Sequence, residues 1–219
     1  MKGIERMERF YRRTRSSKKK NQDKKVYRNF FKYFLDIFFS LIMLIILFIP
    51  MLFISFFIKV DSKGPVFFKQ IRFGLNSKPF IIYKFRSMVI NAPVKANQDF
   101  DDIKSHLTKV GFFIRKFSID EWPQLWNVLK GDMSIIGPRA LADTDRIVLN
   151  LRKQNGADKV RPGITGLAQI HGRNNITDQK KAFFDAEYAE NLSAINDLKI
   201  IFKTIVLVLG RKGIFKDGQ

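Results

Sequence analysis

The chain contains no cysteine. That absence removes disulfides, zinc–thiolate sites and cysteine nucleophiles together, and it is compatible with a reducing cytoplasm. Histidine is scarce as well, with only His106 and His171, so a multi-histidine metal centre is not expected. Acid is outnumbered by base: 20 Asp and Glu stand against 40 Lys and Arg, a net charge of +20. So basic a chain calls for a polyanion, whether nucleic acid, anionic lipid or a phosphate-rich substrate. Neither the P-loop nor the dinucleotide fingerprint occurs, so the generic nucleotide motifs do not apply. What the chain does have is apolar surface. It is 46% hydrophobic with 23 Phe in 219 residues, enough for one domain with an appended arm.

Residues 1–29 carry twelve Lys and Arg against Glu5, Glu8 and Asp23. The polar stretch 15–25 is expected to be disordered or surface-bound. It is not a secretory signal, because the apolar part begins too late, runs too long and lacks a small-residue cleavage site. Beside an apolar segment, attraction to anionic lipid is the expected role, at about 1 kcal/mol per base near the surface.

Ile37 to Ile58 then runs 22 residues without a charge. As a straight helix this would be about 33 Å long, enough to cross a bilayer. Two features favour a helix broken at Pro50 that dips into one leaflet and returns. Pro50 removes a backbone hydrogen bond and biases Ile49 away from helical angles. Both flanks are also basic: residues 59–86 carry seven Lys and Arg against Asp61 alone, which would keep both ends on the cytoplasmic side. Proline is tolerated in spanning helices, so an ordinary transmembrane helix stays open. Asp36, at the mouth of the run, either snorkels to the interface or pairs with Lys32.

From Gly64 to Met88, aromatic and branched residues flank G-L-N-S-K, which predicts two strands joined by a turn near Gly74–Lys78. Alternation puts Lys84 and Arg86 on one face, where they could address an anion or simply be solvated. Residues 89–105 read as a polar loop. The segment S-I-D-E-W-P-Q-L-W-N-V-L-K-G-D-M-S-I-I-G-P-R, Ser118 to Arg139, follows Arg115-Lys116 and places Asp120 and Glu121 side by side at the start of a predicted helix. Two caps compete: Ser118 with Glu121 as a capping box, or Asp120 as N-cap with Pro123 in the first turn. Leu125, Val128 and Leu129 would be buried, and Gly131 would end the helix. The pair could be no more than a cap. Amid so many cations, however, an ionised carboxylate could serve as a nucleophile or hold Mg²⁺ through oxygen.

Residues 139–160 read as a polar surface helix. R-P-G-I-T-G-L-A-Q-I-H-G-R-N-N, Arg161 to Asn175, is glycine-rich with Arg161 and Arg173 suited to bidentate phosphate contact, and its glycines permit close backbone approach to a ligand. His171 is better read as a turn-side hydrogen-bonding residue than as a catalyst. Ile176 to Leu192 predicts a charged helix. Asp197 to Arg211 predicts an apolar helix with Lys199 and Lys203 on one side, either lying in the membrane interface or packed in the core.

In order along the chain stand K-Y-F-L-D before the apolar run, the proline within it, F-K-Q-I-R-F-G, Y-K-F-R-S-M, R-K-F-S-I-D-E-W-P-Q-L-W-N-V-L-K-G-D-M-S-I-I-G-P-R and R-P-G-I-T-G-L-A-Q-I-H-G-R-N. Over residues 30 to 215 this series resembles the bacterial sugar transferase family, the small monotopic polyprenyl-phosphate phosphoglycosyl transferases of capsule, exopolysaccharide and glycoprotein pathways. The resemblance implies transfer of a sugar 1-phosphate from a UDP-sugar to undecaprenyl phosphate, with release of UMP and use of Mg²⁺. Asp120 would be the nucleophile and metal ligand, forming an aspartyl-phosphosugar. Glu121 would orient or deprotonate the acceptor phosphate. Lys84, Arg86, Arg115 and Arg139 would neutralise phosphate, and Arg161 and Arg173 would bind the donor. An N-acetylated sugar is the weakly favoured donor.

The implied architecture is α+β and membrane-associated. It is mainly helical with a small β-hairpin, one re-entrant helix broken at Pro50 and interfacial amphipathic helices. Residues 1–29 would form the arm, 30–60 the re-entrant helix and 61–219 the catalytic domain, on the cytoplasmic face of the bacterial inner membrane. Anionic lipids would be partners and nucleic acid would not. Three positions depart from the family pattern: Lys32-Tyr33 replaces Lys-Arg, Ile49 replaces the serine before the proline, and Ala140 replaces the proline after G-P-R. Larger members carry further transmembrane helices and a domain ahead of this core, which the short N-terminal stretch leads one not to expect here. The rival reading is a non-catalytic membrane-anchored scaffold that binds lipid or nucleic acid through its arm.

Overall fold

The computed structural model describes residues 27–92, 104–172 and 176–210. The arm up to residue 26, much of the polar loop before residue 104, and Arg173 lie outside the described residues. A π-helical turn, Tyr27–Phe31, leads into α1, Lys32–Asp61. This helix is long and apolar enough to cross a membrane, and only 6% of its most apolar window is buried. It is therefore not the core helix of a globule. The helix runs on through Pro50 without interruption, although the ring leaves Ile46 without the usual amide donor. One turn later the Ser55 hydroxyl donates to the Met51 carbonyl at 2.7 Å, a back-bond of the kind that bends helices.

Both ends of α1 are tied to the rest of the protein. At the N-terminal end Lys32 lies 2.9 Å from Asp197 and 3.8 Å from Asp36. Asp36 thus pairs with Lys32, one of its two expected fates, and also accepts the Ile135 N–H at 3.1 Å. The hydroxyls of Tyr27 and Tyr188 close the network on Asp197 at 3.1 and 2.9 Å. At the C-terminal end Ile58 packs with Phe85 and Ile114, and Asp61 accepts the Val110 N–H at 2.8 Å. Between the ends, Leu41, Ile42, Met43, Ile45, Ile46, Phe48 and Ile49 are exposed.

The hairpin is where the sequence puts it. Strand β1, Phe67–Phe73, pairs antiparallel with β2, Pro79–Phe85, and Leu75–Ser77 forms a 3₁₀ turn between them. Helix α2, Lys109–Lys116, is capped by the Thr108 hydroxyl, which accepts from the Gly111 N–H at 2.9 Å. A 3₁₀ turn, Ile119–Glu121, precedes α3, Gln124–Leu129.

The second sheet was not legible in the sequence. Strand β3, Ser134–Ile136, pairs in parallel with β4, Gly163–Thr165, inside the glycine-rich stretch. The close approach that these glycines permit is that of the chain to itself. A Cβ at Gly137 would strike the Arg161 carbonyl, one at Gly163 the Gly137 nitrogen, and one at Gly166 the Gly137 carbonyl.

The expected polar helix over 139–160 is shorter and less superficial. Residues 139–142 are extended, a 3₁₀ turn covers Asp143–Asp145, and only Arg146–Asn155 is helical, as α4, with Val148 and Arg152 buried. Short α5, Leu167–Ile170, and α6, Asp178–Glu190, follow. Helix α7, Ala194–Leu209, divides its faces. Asp197 and Ile200 point inward, while Ile195, Leu198, Phe202, Ile205, Val206 and Leu209 remain exposed.

Candidate active site

Asp120 and Glu121 sit on neither of the expected caps. Helix α2 ends at Lys116 with Phe117 as its C-cap, and Ser118 adopts the left-handed conformation, φ 55° and ψ 23°, with no side-chain capping bond. This reverses the chain, so the acids fall in the 3₁₀ turn and Pro123, not Asp120, stands immediately before α3. The turn is fixed by its apolar members: Ile119 and Trp122 pack on the cluster of Ile58, Phe85 and Ile114. The acid pair is thereby mounted on the C-terminal end of the membrane helix, and both carboxylates are buried, at 8% and 6% exposure.

Strand β2 brings in the first cation. Lys84 Nζ lies 2.7 Å from Glu121 Oε1. Burial lowers the Lys84 pKa, and Glu121 and Asp120 oppose that shift, so Lys84 feels both acids. The strand is held in place by Asn127, fully buried on α3. Its side-chain oxygen accepts from the Tyr83 N–H at 3.0 Å, and its amide donates to the Ile81 carbonyl at 2.7 Å. Asn127 acts as a one-residue third strand that sets β2 against the acid turn. A lone Asn inside an apolar helix stripe was the only hint of this role in the sequence.

Arg139 supplies a second cation, 3.5 Å from Glu121 Oε1. A third was overlooked in the sequence. The pKa of Arg72, on β1, is lowered to about 10 by burial first and by Arg139 second, against Asp145 and Glu121. Its place in the F-K-Q-I-R-F-G motif was the available signal. Lys84 and Arg139 thus meet Glu121 beside Asp120, and Arg72, 3.9 Å from Asp145, bonds the Ala140 carbonyl next to Arg139, an arrangement suited to a nucleophile working on an anionic substrate.

Arg86 and Arg161 are bonded elsewhere. Arg86 donates to the carbonyls of Lys63 at 2.7 Å, Ser62 at 2.7 Å and Ile58 at 3.3 Å, and to the Ser62 hydroxyl at 2.8 Å. These bonds bind the end of α1. A Cβ at Gly64, where φ is +122°, would collide with the same guanidinium. Arg161 donates to the Gly131 carbonyl at 3.0 Å and stacks 4.5 Å over the Tyr33 ring, joining the end of α3 to α1. Arg115 is half-buried in the last turn of α2. The Nδ1 of His171 is 2.8 Å from the Leu167 carbonyl, and its ring stacks on Phe184.

A family model described as "Bacterial sugar transferase" matches residues 27–211. The chain belongs to the bacterial sugar transferase family. Among similar members, an uncharacterized sugar transferase, EpsL, of Bacillus subtilis is 49% identical over 72% of this chain and 76% of its own length. The Rhizobium leguminosarum exopolysaccharide production protein PSS is 39% identical over 80% of this chain and 94% of its own. A UDP-glucose:undecaprenyl-phosphate glucose-1-phosphate transferase of Klebsiella pneumoniae is 41% identical over 80% of this chain, which spans 39% of that relative's length. As a bacterial sugar transferase the protein is an enzyme of the transferase class, and its buried acid pair lies inside the family match.

Proposed function

We propose that the protein moves a sugar 1-phosphate from a UDP-sugar to undecaprenyl phosphate and releases UMP. The observation that carries this reading is the pair Asp120–Glu121, buried against Lys84 and Arg139 at the end of an apolar, largely uncovered helix. A soluble dianionic donor and a membrane-bound phosphate acceptor need such a meeting place.

In the proposed reaction an Asp120 carboxylate oxygen attacks the β-phosphorus of the donor. The bond from that phosphorus to the bridging oxygen breaks, and UMP leaves with the electron pair. An acceptor phosphate oxygen then attacks the same phosphorus and displaces the carboxylate, giving the polyprenyl diphosphate sugar. Lys84, Arg139 and Arg72 stabilise charge as it shifts among the phosphate oxygens. Glu121 is held by Lys84 and Arg139, so its role is to fix these cations rather than to take a proton. Arg86 and Arg161 are assigned to holding α1, and Arg115 to the approach of the acid turn.

Mg²⁺ is part of the proposal. No group of three or more His, Asp or Glu placed to hold a metal occurs among the described residues. One carboxylate, Asp120, together with donor phosphate oxygens is nevertheless a set that suits Mg²⁺, which keeps several waters and seldom uses an all-protein cage. When bound it would supply further neutralisation of the diphosphate.

The membrane reading is that α1 enters and leaves one leaflet. A helix of 30 residues is about 45 Å long if straight. Were it to span, Lys32 and Asp61 would lie on opposite sides, yet both ends bond to the same domain. Pro50 and the Ser55 back-bond supply a place to bend, and the exposed residues between 41 and 49 supply the inserted surface. The outer face of α7, with Phe112 and Phe113 of α2 and Trp126 of α3, would rest at headgroup level.

The test is UMP release and adduct formation. With a donor alone, the wild type should release one equivalent of UMP and gain the mass of a phosphosugar on Asp120, and D120N should do neither. The panel includes UDP-glucose, the donor in the Klebsiella relative's name, and the N-acetylated UDP-sugars expected from the resemblance. Full UMP release by D120N would overturn the mechanism.

A further inference from the structure

Arg139 reaches Glu121 with its side chain, yet its backbone belongs to no regular strand beyond a single parallel bridge to Gly163. The strap from Arg139 to Ala142 has backbone bonds further along, the Phe73 N–H to the Leu141 carbonyl at 2.8 Å and the Asp145 N–H to the Ala142 carbonyl at 3.1 Å, while the Arg139 carbonyl itself is met by a side chain. Arg152 Nη1 donates to the Arg139 carbonyl at 2.8 Å, Arg72 Nη1 to the Ala140 carbonyl at 3.4 Å, and the Ala142 N–H donates to Asp145 at 2.9 Å.

Arg152 is buried on α4. Its Nε donates to Asp185 Oδ2 at 2.8 Å, and its Nη2 lies 2.6 Å from the same oxygen. Asp185, on α6, is 1% exposed, and its Oδ1 has no hydrogen-bond partner. A pair serving only to join two helices would engage both carboxylate oxygens, since two parallel bonds are stronger than two on one atom. Here the guanidinium is turned so that its third nitrogen meets the Arg139 carbonyl, while a buried oxygen is left without a partner. Helices α4 and α6 also have other means of packing. Val148, Ala182 and Leu141 form an apolar cluster, and Asn155 donates to the Ala182 carbonyl at 3.0 Å.

We propose that Arg152 and Asp185 are positioning residues for the reaction: Asp185 orients Arg152, and Arg152 holds the Arg139 backbone so that the Arg139 guanidinium faces Glu121 and the transferring phosphate. This rests on the phosphoglycosyl transfer reading above. Lysine at 152 keeps the charge beside Asp185 but lacks the planar fork needed to hold both partners. Small displacements of a group aligned with a reacting centre cost roughly 10- to 100-fold in rate.

The experiment is a double-mutant cycle on the full chain in nanodiscs, with undecaprenyl phosphate and the best UDP-sugar, reading kcat and KM from UMP release. R152K should lower kcat roughly tenfold and change the donor KM by less than about twofold. In an R139K background, R152K should have no further effect beyond about twofold. Fully multiplicative losses, or a lowered Tm with the specific activity of folded protein unchanged, would overturn the proposal. D185N, close to Asp185 in shape, replaces R152K in the cycle if that variant does not fold. Failure of both to fold would mark the pair as purely structural and also overturn it. A wild type that releases no UMP from any donor overturns the parent reading instead, and this one with it.

Discussion

Lys84 and Glu121 meet at 2.7 Å, although one side chain comes from a hairpin strand and the other from a 3₁₀ turn 37 residues later. Their union, with Arg139 behind it, converts two adjacent acids from a surface feature into a buried, cation-lined centre.

Removing that cation should separate stability from activity. K84M takes the 2.7 Å ion-pair partner from a buried Glu121, and breaking such a pair costs about 3–5 kcal/mol. UMP release should fall at least about 100-fold, the scale set by loss of one electrostatic stabiliser. Denaturant unfolding together with the UMP assay checks both.

Alkaline pH should act in two opposed directions. Burial holds the Lys84 pKa below its ordinary 10.5. Between that lowered value and 10.5 the unfolded chain binds more protons than the folded one, so the contribution of this group to stability rises with pH. Activity should fall over the same interval, because the ammonium that faces the acids is lost. K84R, whose charge persists, should abolish the alkaline limb of the rate profile if it still folds.

Arg86 offers the contrast. With its guanidinium bonded to the carbonyls of Ile58, Ser62 and Lys63, R86K should lower stability by about 2–4 kcal/mol through lost charged hydrogen bonds. The donor KM should stay within about twofold in the fraction that remains folded. A raised KM at unchanged stability would restore Arg86 to the phosphate-binding role expected from its place beside Lys84.

Topology is open to a direct check, since the native chain has no cysteine to mask. Single cysteines at Lys2 and Lys63 should both label from the cytoplasmic side of intact membranes. Labelling from opposite faces would show a spanning helix and would sink the one-leaflet reading.

Much of this was legible from short-range pattern. The aromatic and branched arms around G-L-N-S-K define the hairpin, and the 22 uncharged residues from Ile37 to Ile58 define the apolar helix. The acid pair stands out by its basic neighbourhood, and the structure buries it against Lys84 and Arg139. Each of these depends on residues close together in the chain, where period, propensity and charge count are sufficient. Other assignments required the packed structure. Lys84 and Arg86 share a strand face by alternation, yet one binds Glu121 and the other binds the end of α1. The β3–β4 pair and the turned guanidinium of Arg152 were likewise absent from any local pattern, and for Asn127 and Arg72 the sequence offered a hint of importance but not of the partner. The partner of a long cation is chosen by which distant acid or carbonyl the core brings within about 3 Å and shields from water, and sequence spacing carries no record of that distance.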